Sequence, residues 1–597
     1  PTDGKTWLLQ QIENYNNKKN KKLRIPRDKN NKKFRLSKLN DDQFLVAYVI
    51  LDKIREWINL AHSTEEAKKK FKPLRLTVMG CGGTGKSVLI NTVVSYIRKI
   101  FQSNNSVLVT APTGAAAHNV GGQTIHREFK LNYKQKSTKL SNTAKKLLME
   151  KLMFTIALFF DERSMISQHV LGSAELNIST TAHFGGHETE DWGGIPVIVI
   201  FGDDYQLPPP ATNGAIDALF EQGNTAETRN GAHQFIKLAE STSELMIIMR
   251  QKEKEQELQD LLKNTRIGQP SDENIDTIFS LHLNSGKLTI EQIEEIKQKA
   301  TYIFANRRNM EEHNREQLKQ QHSAKNPIAR LLATTSSRGK QYRGRAKCMK
   351  NESSVEPILN ICRGARVQIS GRNFEPDWGL YNGAVGTVVE IVFNENENPL
   401  DGTLPQYILV DFPQYRGPSW ISEKPTWIPI PSIEMNCSNY CCQFMFVPLS
   451  LAYSKTGHTF QGQTCGPGHP IPCIIVQPGT IKMERTCPGL LYMFLSRATT
   501  IGTPEDRSTS AIFFFTNELT KKRIQNLTTT MSGELCKKIA RRSKWIQHLN
   551  KNKLKLKISK KQKEDLISWA KGTTVSQNIV HKIIEDTSWR KSNSLNF

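Results

Sequence analysis

The chain has 597 residues and a net charge of +25, from 82 lysines and arginines against 57 aspartates and glutamates. At roughly 150 residues per domain it is too long for one core. Its longest apolar runs, such as 156–160 and 195–201, fall well short of the ~20 residues that a membrane helix needs. The basic excess makes a polyanion the first partner to consider, and ten cysteines without a C-x-x-C pair argue against zinc ribbons and disulfide frames, leaving reduced thiols of an intracellular protein.

Residues 1–35 are rich in Asn and Lys and poor in apolar side chains, which predicts an unstructured basic segment. The chain opens at Pro1 with no secretory pattern and reads as part of a longer protein. Over 39–61 apolar residues recur at helical spacing. Short apolar runs at 74–80, 107–113, 156–162 and 195–203 then alternate with helical patterns, and each ends in Gly, Thr, Asp or Pro. That alternation predicts an α/β fold whose parallel sheet carries its functional groups at the carboxyl ends of the strands.

A second set of buried strands is predicted at 300–306, 444–454, 471–477 and 511–517. Between them, 364–393 and 406–412 are rich in β-branched residues and turns, as in a small all-β insert. The expected domains are therefore 36–248, a second domain made of 249–363 and 444–525, the insert 364–443, and a basic, partly helical tail 526–597. The basic runs at 17–35 and 537–561 fit either a polyanion contact or a solvated surface.

Three motifs carry chemistry. Gly80-x-x-x-x-Gly85-Lys86-Ser87 follows a strand and opens a helix, the setting of a phosphate-binding loop. Backbone N–H groups from Gly80, Gly82, Gly83, Thr84 and Gly85 can curl around phosphates, Lys86 can reach the β and γ oxygens, and Ser87 can hold Mg²⁺. A second strand ends in Asp161-Glu162: Asp161 is placed for the Mg²⁺ shell and Glu162 for deprotonating an attacking water, although paired carboxylates also occur as solvated strand caps. A third ends in Gly202-Asp-Asp-Tyr-Gln206-Leu-Pro-Pro-Pro, where Gln206 can sense the γ-phosphate.

In that order the motifs resemble those of superfamily 1B DNA helicases of the PIF/RecD type, from about residue 39 to about residue 500. LNDDQ at 39–43 is similar to the Q motif, which makes Gln43 the adenine reader. APTGAAAHNVGGQTIH at 111–126 resembles motif Ia, implying that Pro112, Thr113, Gly114 and His126 touch single-stranded DNA. LMIIMRQ at 245–251 resembles motif IV and MFLSRATT at 493–500 motif VI, with Arg250 and Arg497 as arginine fingers. LAYSKTGHTFQGQT at 451–464 resembles motif V, implying DNA contacts from His458 and Gln461. The sequence departs from the family pattern at Thr459, where a lysine is usual, and at Asp204 and Tyr205 in motif III.

The resemblance implies two RecA-like domains with ATP and Mg²⁺ in the cleft between them, Arg497 reaching in from the second. It further implies a Src-homology-3-like insert, a duplex-splitting wedge within 127–155, and 5′-to-3′ unwinding of duplex junctions by a monomer tracking on single-stranded DNA. Replication, repair, recombination and telomere maintenance are the expected settings, in the nucleus or alternatively the mitochondrion. A Helitron-like mobile-element origin stays open. So do two other readings, an inactive DNA-binding remnant and an RNA-directed NTPase.

Overall fold

The computed structural model describes residues 3–19, 23–28, 31–131, 140–181, 191–209, 212–221, 223–251, 255–337, 340–343, 356–371, 373–394, 403–436, 442–479, 489–515 and 534–585. They fall into two units. One comprises Leu23–Leu281, Thr480–Pro504 and Asn517–Phe597, and the other Pro1–Lys22, His282–Gly479 and Glu505–Thr516.

The first of these units is built on a six-stranded parallel sheet. Its strands are β1 (Leu74–Gly80), β2 (Val107–Ala111), β3 (Gln123–Thr124), β4 (Ala157–Phe160), β5 (Val197–Gly202) and β6 (Thr242–Leu245), in the order β3-β2-β4-β5-β1-β6. All residues of β4 and β5 are buried, as expected of strands covered on both faces. The helix predicted from 39–61 is Asp41–Asn59, and Asn40 and Gln43 form its capping box. β2 comes close to the later part of motif Ia because Gly122 has no side chain: a Cβ there would lie 2.2 Å from the Val109 carbonyl oxygen.

The unit's extent differs from the expectation in three places. Residues 249–281 and 489–504 belong to it rather than to the second domain, because the helices Gln256–Arg266 and Leu490–Leu495 pack on each other within it. The C-terminal stretch is no tail. Its helices Glu534–Lys551, Lys560–Gly572 and Gln577–Glu585 bury Trp545, Leu549, Leu566, Ala570, Val580 and Ile583 in the unit's core. These apolar positions recur between the lysines, so one face is buried while the charges stay in water. Of the predicted wedge segment, 140–155 contains the helix Asn142–Leu152, and 132–139 lies outside the described residues.

In the other unit the predicted strands form a parallel sheet in the order Ser454–Thr456, Thr301–Phe304, Ile474–Gln477, Ile512–Phe514. The insert is a five-stranded antiparallel sheet, ordered Trp427–Pro431, Tyr407–Asp411, Val385–Val392, Arg366–Ile369, Leu449–Leu451. The run 444–454, predicted as one strand, divides into Gln443–Phe446, Leu449–Leu451 and Ser454–Thr456, each in a different sheet. Pro448 interrupts it, since proline has no N–H with which to continue a ladder. Among the described residues no helix is long and apolar enough to cross a membrane.

Residues 1–35 also depart from expectation. Gly4–Lys19 is a helix that packs on Trp427–Pro431 and buries Trp7 and Leu8 in the core of its unit. The Tyr15 ring lies 4.9 Å from that of Trp378. Leu8, Ile12 and Tyr15 make a short helical stripe that the surrounding Asn and Lys residues mask in a composition average. Because Leu8 is fully buried, Leu8→Ala should lower the stability of this unit by about 2–4 kcal/mol in urea unfolding; an unstructured segment would give no change.

Candidate nucleotide site

β1 delivers the chain into the loop at Cys81, and the helix Lys86–Phe101 leaves it. Lys86 Nζ donates to the Gly80 and Cys81 carbonyls at 2.7 and 3.1 Å, which folds the ammonium back over the loop. Gln43 braces the same loop: its Nε2 donates to the Thr84 carbonyl at 3.0 Å, and its Oε1 accepts the Asn40 N–H at 3.3 Å. Gly83 has a φ of +96°, and its carbonyl accepts the N–H groups of Met249 at 2.7 Å and Arg250 at 3.0 Å. A Cβ on Gly83 would sit 2.8 Å from that of Arg250, so glycine lets motif IV lie directly on the phosphate loop.

Asp161 and Glu162 follow β4, and both are buried. Burial, then the neighbouring Glu162 carboxylate, pushes the Asp161 pKa up to about 7, against the pull of Lys86 and Arg497. Glu162 takes a left-handed φ of +53°, a conformation that costs a non-glycine residue free energy and is concentrated at functional positions. Its N–H donates to Asp161 Oδ1 at 2.9 Å. A buried pair of carboxylates, together with Ser87 at the helix start, is an oxygen donor set suited to a hard divalent cation, which would reverse the unfavourable ionisation of Asp161.

The loop after β5 holds Asp203, Asp204 and Gln206, all buried. Asp203 accepts Arg266 Nη2 at 3.2 Å and the Tyr492 hydroxyl at 2.7 Å. Burial opposes its ionisation, but Arg266 first, then Lys86 and the Tyr492 hydroxyl, hold its carboxyl below the usual range. The Tyr492 oxygen also accepts the Gly82 N–H at 3.3 Å, so one hydroxyl joins the phosphate loop to this aspartate. Asp204 is paired with Arg163, the residue after Glu162, and accepts the Trp545 indole N–H at 2.9 Å. Among the described residues, Gln206 Oε1 and Gln251 Oε1 are buried without a hydrogen-bond partner.

Arg497 is buried, and its Nη2 donates to Ser496 Oγ at 2.9 Å. A Cβ on Gly82 would lie 3.4 Å from Nη2, so the guanidinium is already beside the loop. Arg250 Nη1 donates to the Ser496 carbonyl at 2.5 Å, and Gln251 Nε2 to that of Ala498 at 2.8 Å. Motifs IV and VI are thus bonded to each other within the unit that carries the phosphate loop. The expectation that Arg497 belongs to the second domain is corrected, because Tyr492 ties its helix to Gly82 and Asp203.

The structure therefore brings together Gln43, Lys86, Asp161, Glu162, Gln206, Arg250 and Arg497. Sequence reasoning missed Asp203, Tyr492, Arg266, Gln251, Arg163 and Trp545. Asp203 stood inside a recognised motif, whereas nothing in the spacing singled out Arg266 or Trp545. With a glycine-lined backbone, a lysine folded over the loop and a buried carboxylate together with Ser87, these residues suit a triphosphate with its cation.

The residues expected to touch DNA are more scattered. Pro112, Thr113 and Gly114 lie half-buried just after β2, where Thr113 Oγ1 accepts the Ala116 N–H at 3.2 Å. Burial first, and His169 second, depress the His126 pKa to about 4, so at neutral pH it offers no positive charge to a phosphate. In the other unit Gln461 is fully buried, which does not fit a surface contact with DNA. His458 is half-buried, and Thr459 is exposed with Oγ1 donating to the Thr456 carbonyl at 2.8 Å. Nearby, Lys455 is buried with Nζ 3.4 Å from the Gly383 carbonyl. Burial, then Arg366, pushes its pKa down to about 7.

A family model described as PIF1-like helicase matches residues 59–276. The ATP-dependent DNA helicase PIF1 of Candida albicans is 34% identical over 155 residues, covering 25% of this chain and 16% of that protein. The ATP-dependent DNA helicase RRM3 of Saccharomyces cerevisiae is 25% identical over 318 residues, covering 52% and 39%. This chain thus spans well under two thirds of the length of either relative. A crystal structure of the Candida albicans Pif1 helicase shares the fold with a TM-score of 0.58 at 21% identity, over 85% of this chain and 99% of that one.

Lys455 supplies a test by pH. Its folded pKa lies below its unfolded value of 10.5, so the unfolded state binds the extra proton and stability rises as pH climbs from about 7 toward 10. Lys455→Met should stabilise its unit by on the order of a few kcal/mol below pH 7, with the gain fading toward pH 10. Urea unfolding at pH 6, 8 and 10 would read this, and a gain independent of pH would mean that Lys455 keeps its charge in the folded state.

Proposed function

We propose that this chain, whose residues 59–276 match a family model described as PIF1-like helicase, is an ATP-driven DNA helicase motor. The observation that carries the proposal is that Lys86 and Arg250 bond at the phosphate loop, Arg497 lies beside it, and the buried Asp161 feels both Lys86 and Arg497. Bound ATP with Mg²⁺ would supply a polarised γ-phosphoryl group and a neutralised leaving group. Lys86 and the loop amides then bind phosphate oxygens, and Ser87 and Asp161 hold the cation. Glu162 would take the proton of the attacking water, Gln206 would sense the γ-phosphate, and Gln43, the expected adenine reader, braces the loop through the Thr84 carbonyl. Arg497 and Arg250 stabilise charge that develops in transfer.

The resemblance of 111–126 to motif Ia supports single-stranded DNA as the track, with Pro112, Thr113 and Gly114 its candidate contacts. Movement 5′-to-3′ as a monomer, and work on nuclear or mitochondrial DNA in replication, repair, recombination or telomere maintenance, rest on that resemblance alone.

ATP hydrolysis should rise strongly with single-stranded DNA and much less with RNA of the same length. Lys86→Ala should abolish it while leaving DNA affinity within a few-fold, since phosphate and DNA occupy different surfaces. Equal stimulation by RNA would favour an RNA-directed NTPase, and DNA binding by the wild type without turnover would favour an inactive remnant.

Arg497→Lys keeps the charge but loses the planar fork, so DNA-stimulated kcat should fall on the order of 10³-fold, nearly as far as in Arg497→Ala. Normal turnover combined with a salt-dependent loss of DNA affinity would instead make Arg497 a contact to the DNA backbone.

A further inference from the structure

The C-terminal helix Glu534–Lys551 meets the nucleotide site at a buried contact between Trp545 and Asp204. Asp204 is 2% exposed and Trp545 fully buried, and the indole N–H donates to Asp204 Oδ2 at 2.9 Å. Asp204 also accepts Arg163 Nε at Oδ1, 3.1 Å away, and Arg163 Nη2 at the Oδ2 that takes the indole. Arg163 directly follows Glu162, and Asp204 lies between Asp203 and Gln206. One carboxylate therefore spaces the segment bearing the proposed base against the loop bearing the proposed γ-phosphate sensor. A buried ion pair of this kind contributes little net stability but fixes geometry, provided that its lone pairs are satisfied.

The same helix grips the loop and its surroundings elsewhere. Tyr205 lies between two guanidiniums, that of Arg266 at 4.5 Å and that of Arg542 at 5.5 Å from its ring. Arg541 pairs with Asp217 at 3.3 Å and with Glu221 at 2.6 Å. Beyond the helix, the Leu554 N–H donates to the Thr242 carbonyl at 2.8 Å, which attaches the chain to β6. Asp204 and Tyr205 are also the two positions at which motif III departs from the family pattern, and each finds one of its partners in this helix.

We infer that the C-terminal helix is a working part of the nucleotide site, and that Trp545 is a positioning residue which, through Asp204, sets the loop carrying Asp203 and Gln206. The inference rests on the proposed ATPase reading for its consequence, but not for the contact itself. Without the indole donor, Asp204 keeps an unsatisfied lone pair in a buried place, and the loop can relax away from Glu162.

Trp545→Phe, which keeps a ring but loses the donor, tests this in the full chain. DNA-stimulated kcat should fall about tenfold while KM for ATP stays within about threefold, the pattern of a lost transition-state interaction. Amides 203–207 should exchange with deuterium faster than in the wild type, a readout that needs no catalysis. If Trp545 acts through Asp204, its effect should largely vanish in an Asp204→Asn background. In the wild-type chain, amides 203–207 and 541–549 should open together as denaturant is raised, which keeps the inference testable even if the variant folds poorly. Wild-type kcat and exchange in Trp545→Phe, a loss that adds fully to that of Asp204→Asn, or separate opening of the two segments would each overturn it. A wild type that hydrolyses no ATP would remove the proposed function and leave the exchange result to decide the contact.

Discussion

Burying two adjacent carboxylates is the constraint around which the nucleotide site is organised. Asp203 and Asp204 follow β5 in a loop closed to water, and an unpaired charge there would cost several kcal/mol. Their side chains turn to different partners. Asp203 draws in Arg266 and the Tyr492 hydroxyl, and with them the helices Gln256–Arg266 and Leu490–Leu495. Asp204 draws in Arg163 and Trp545, and with them the turn after Glu162 and the C-terminal helix. Four segments distant in sequence are thus held to one loop by the need to compensate two charges.

That arrangement also sets the electrostatics. Lys86, Arg250 and Arg497 are cations against or beside the phosphate loop, and the carboxylates able to neutralise them are partly committed elsewhere. Arg266 occupies Asp203, Arg163 occupies Asp204, and burial beside Glu162 raises the pKa of Asp161 to about 7. The site keeps a positive excess in a poorly screened place, which is what a polyphosphate requires. The glycine backbone at Gly83 adds donors without adding bulk, and the hydroxyl of Tyr492 keeps Gly82 in register with Asp203.

Much of this was legible in the sequence because phosphate loops, strand-end carboxylates and parallel strands are local signals. The strands at 74–80, 156–162 and 195–203 lie within a few residues of β1, β4 and β5, and Lys86, Asp161, Glu162 and Gln206 stand out by motif spacing, whereas Gln43, Arg250 and Arg497 rest on the resemblance. Pairings between distant segments were not legible. Nothing local in Trp545 or Arg266 announces a buried aspartate some 340 or 63 positions away. The helix Gly4–Lys19 was missed because its apolar stripe is short and diluted by Lys and Asn. The run 444–454 was misread because continuous apolarity fits one long strand as well as three short ones, and only Pro448 hinted at the division. Assignment of 489–504 to a second domain followed chain order, whereas the Tyr492 hydrogen bonds decide its place.

The departures from the family pattern bear on whether this site works or has decayed. A site drifting without constraint accumulates charges where apolar residues stood and leaves them unmatched, since a random partner at hydrogen-bond distance in the right protonation state is rare. Asp204 is such a charge in a buried position, yet it is paired with a guanidinium and an indole on two different segments. Tyr205 beside it is enclosed by two more guanidiniums, one of them from the same C-terminal helix. Motif III and the C-terminal helix are thus matched to each other. Such matching of the loop to a helix far along the chain satisfies a buried charge that would otherwise cost several kcal/mol, so the Asp204 substitution is structurally compensated.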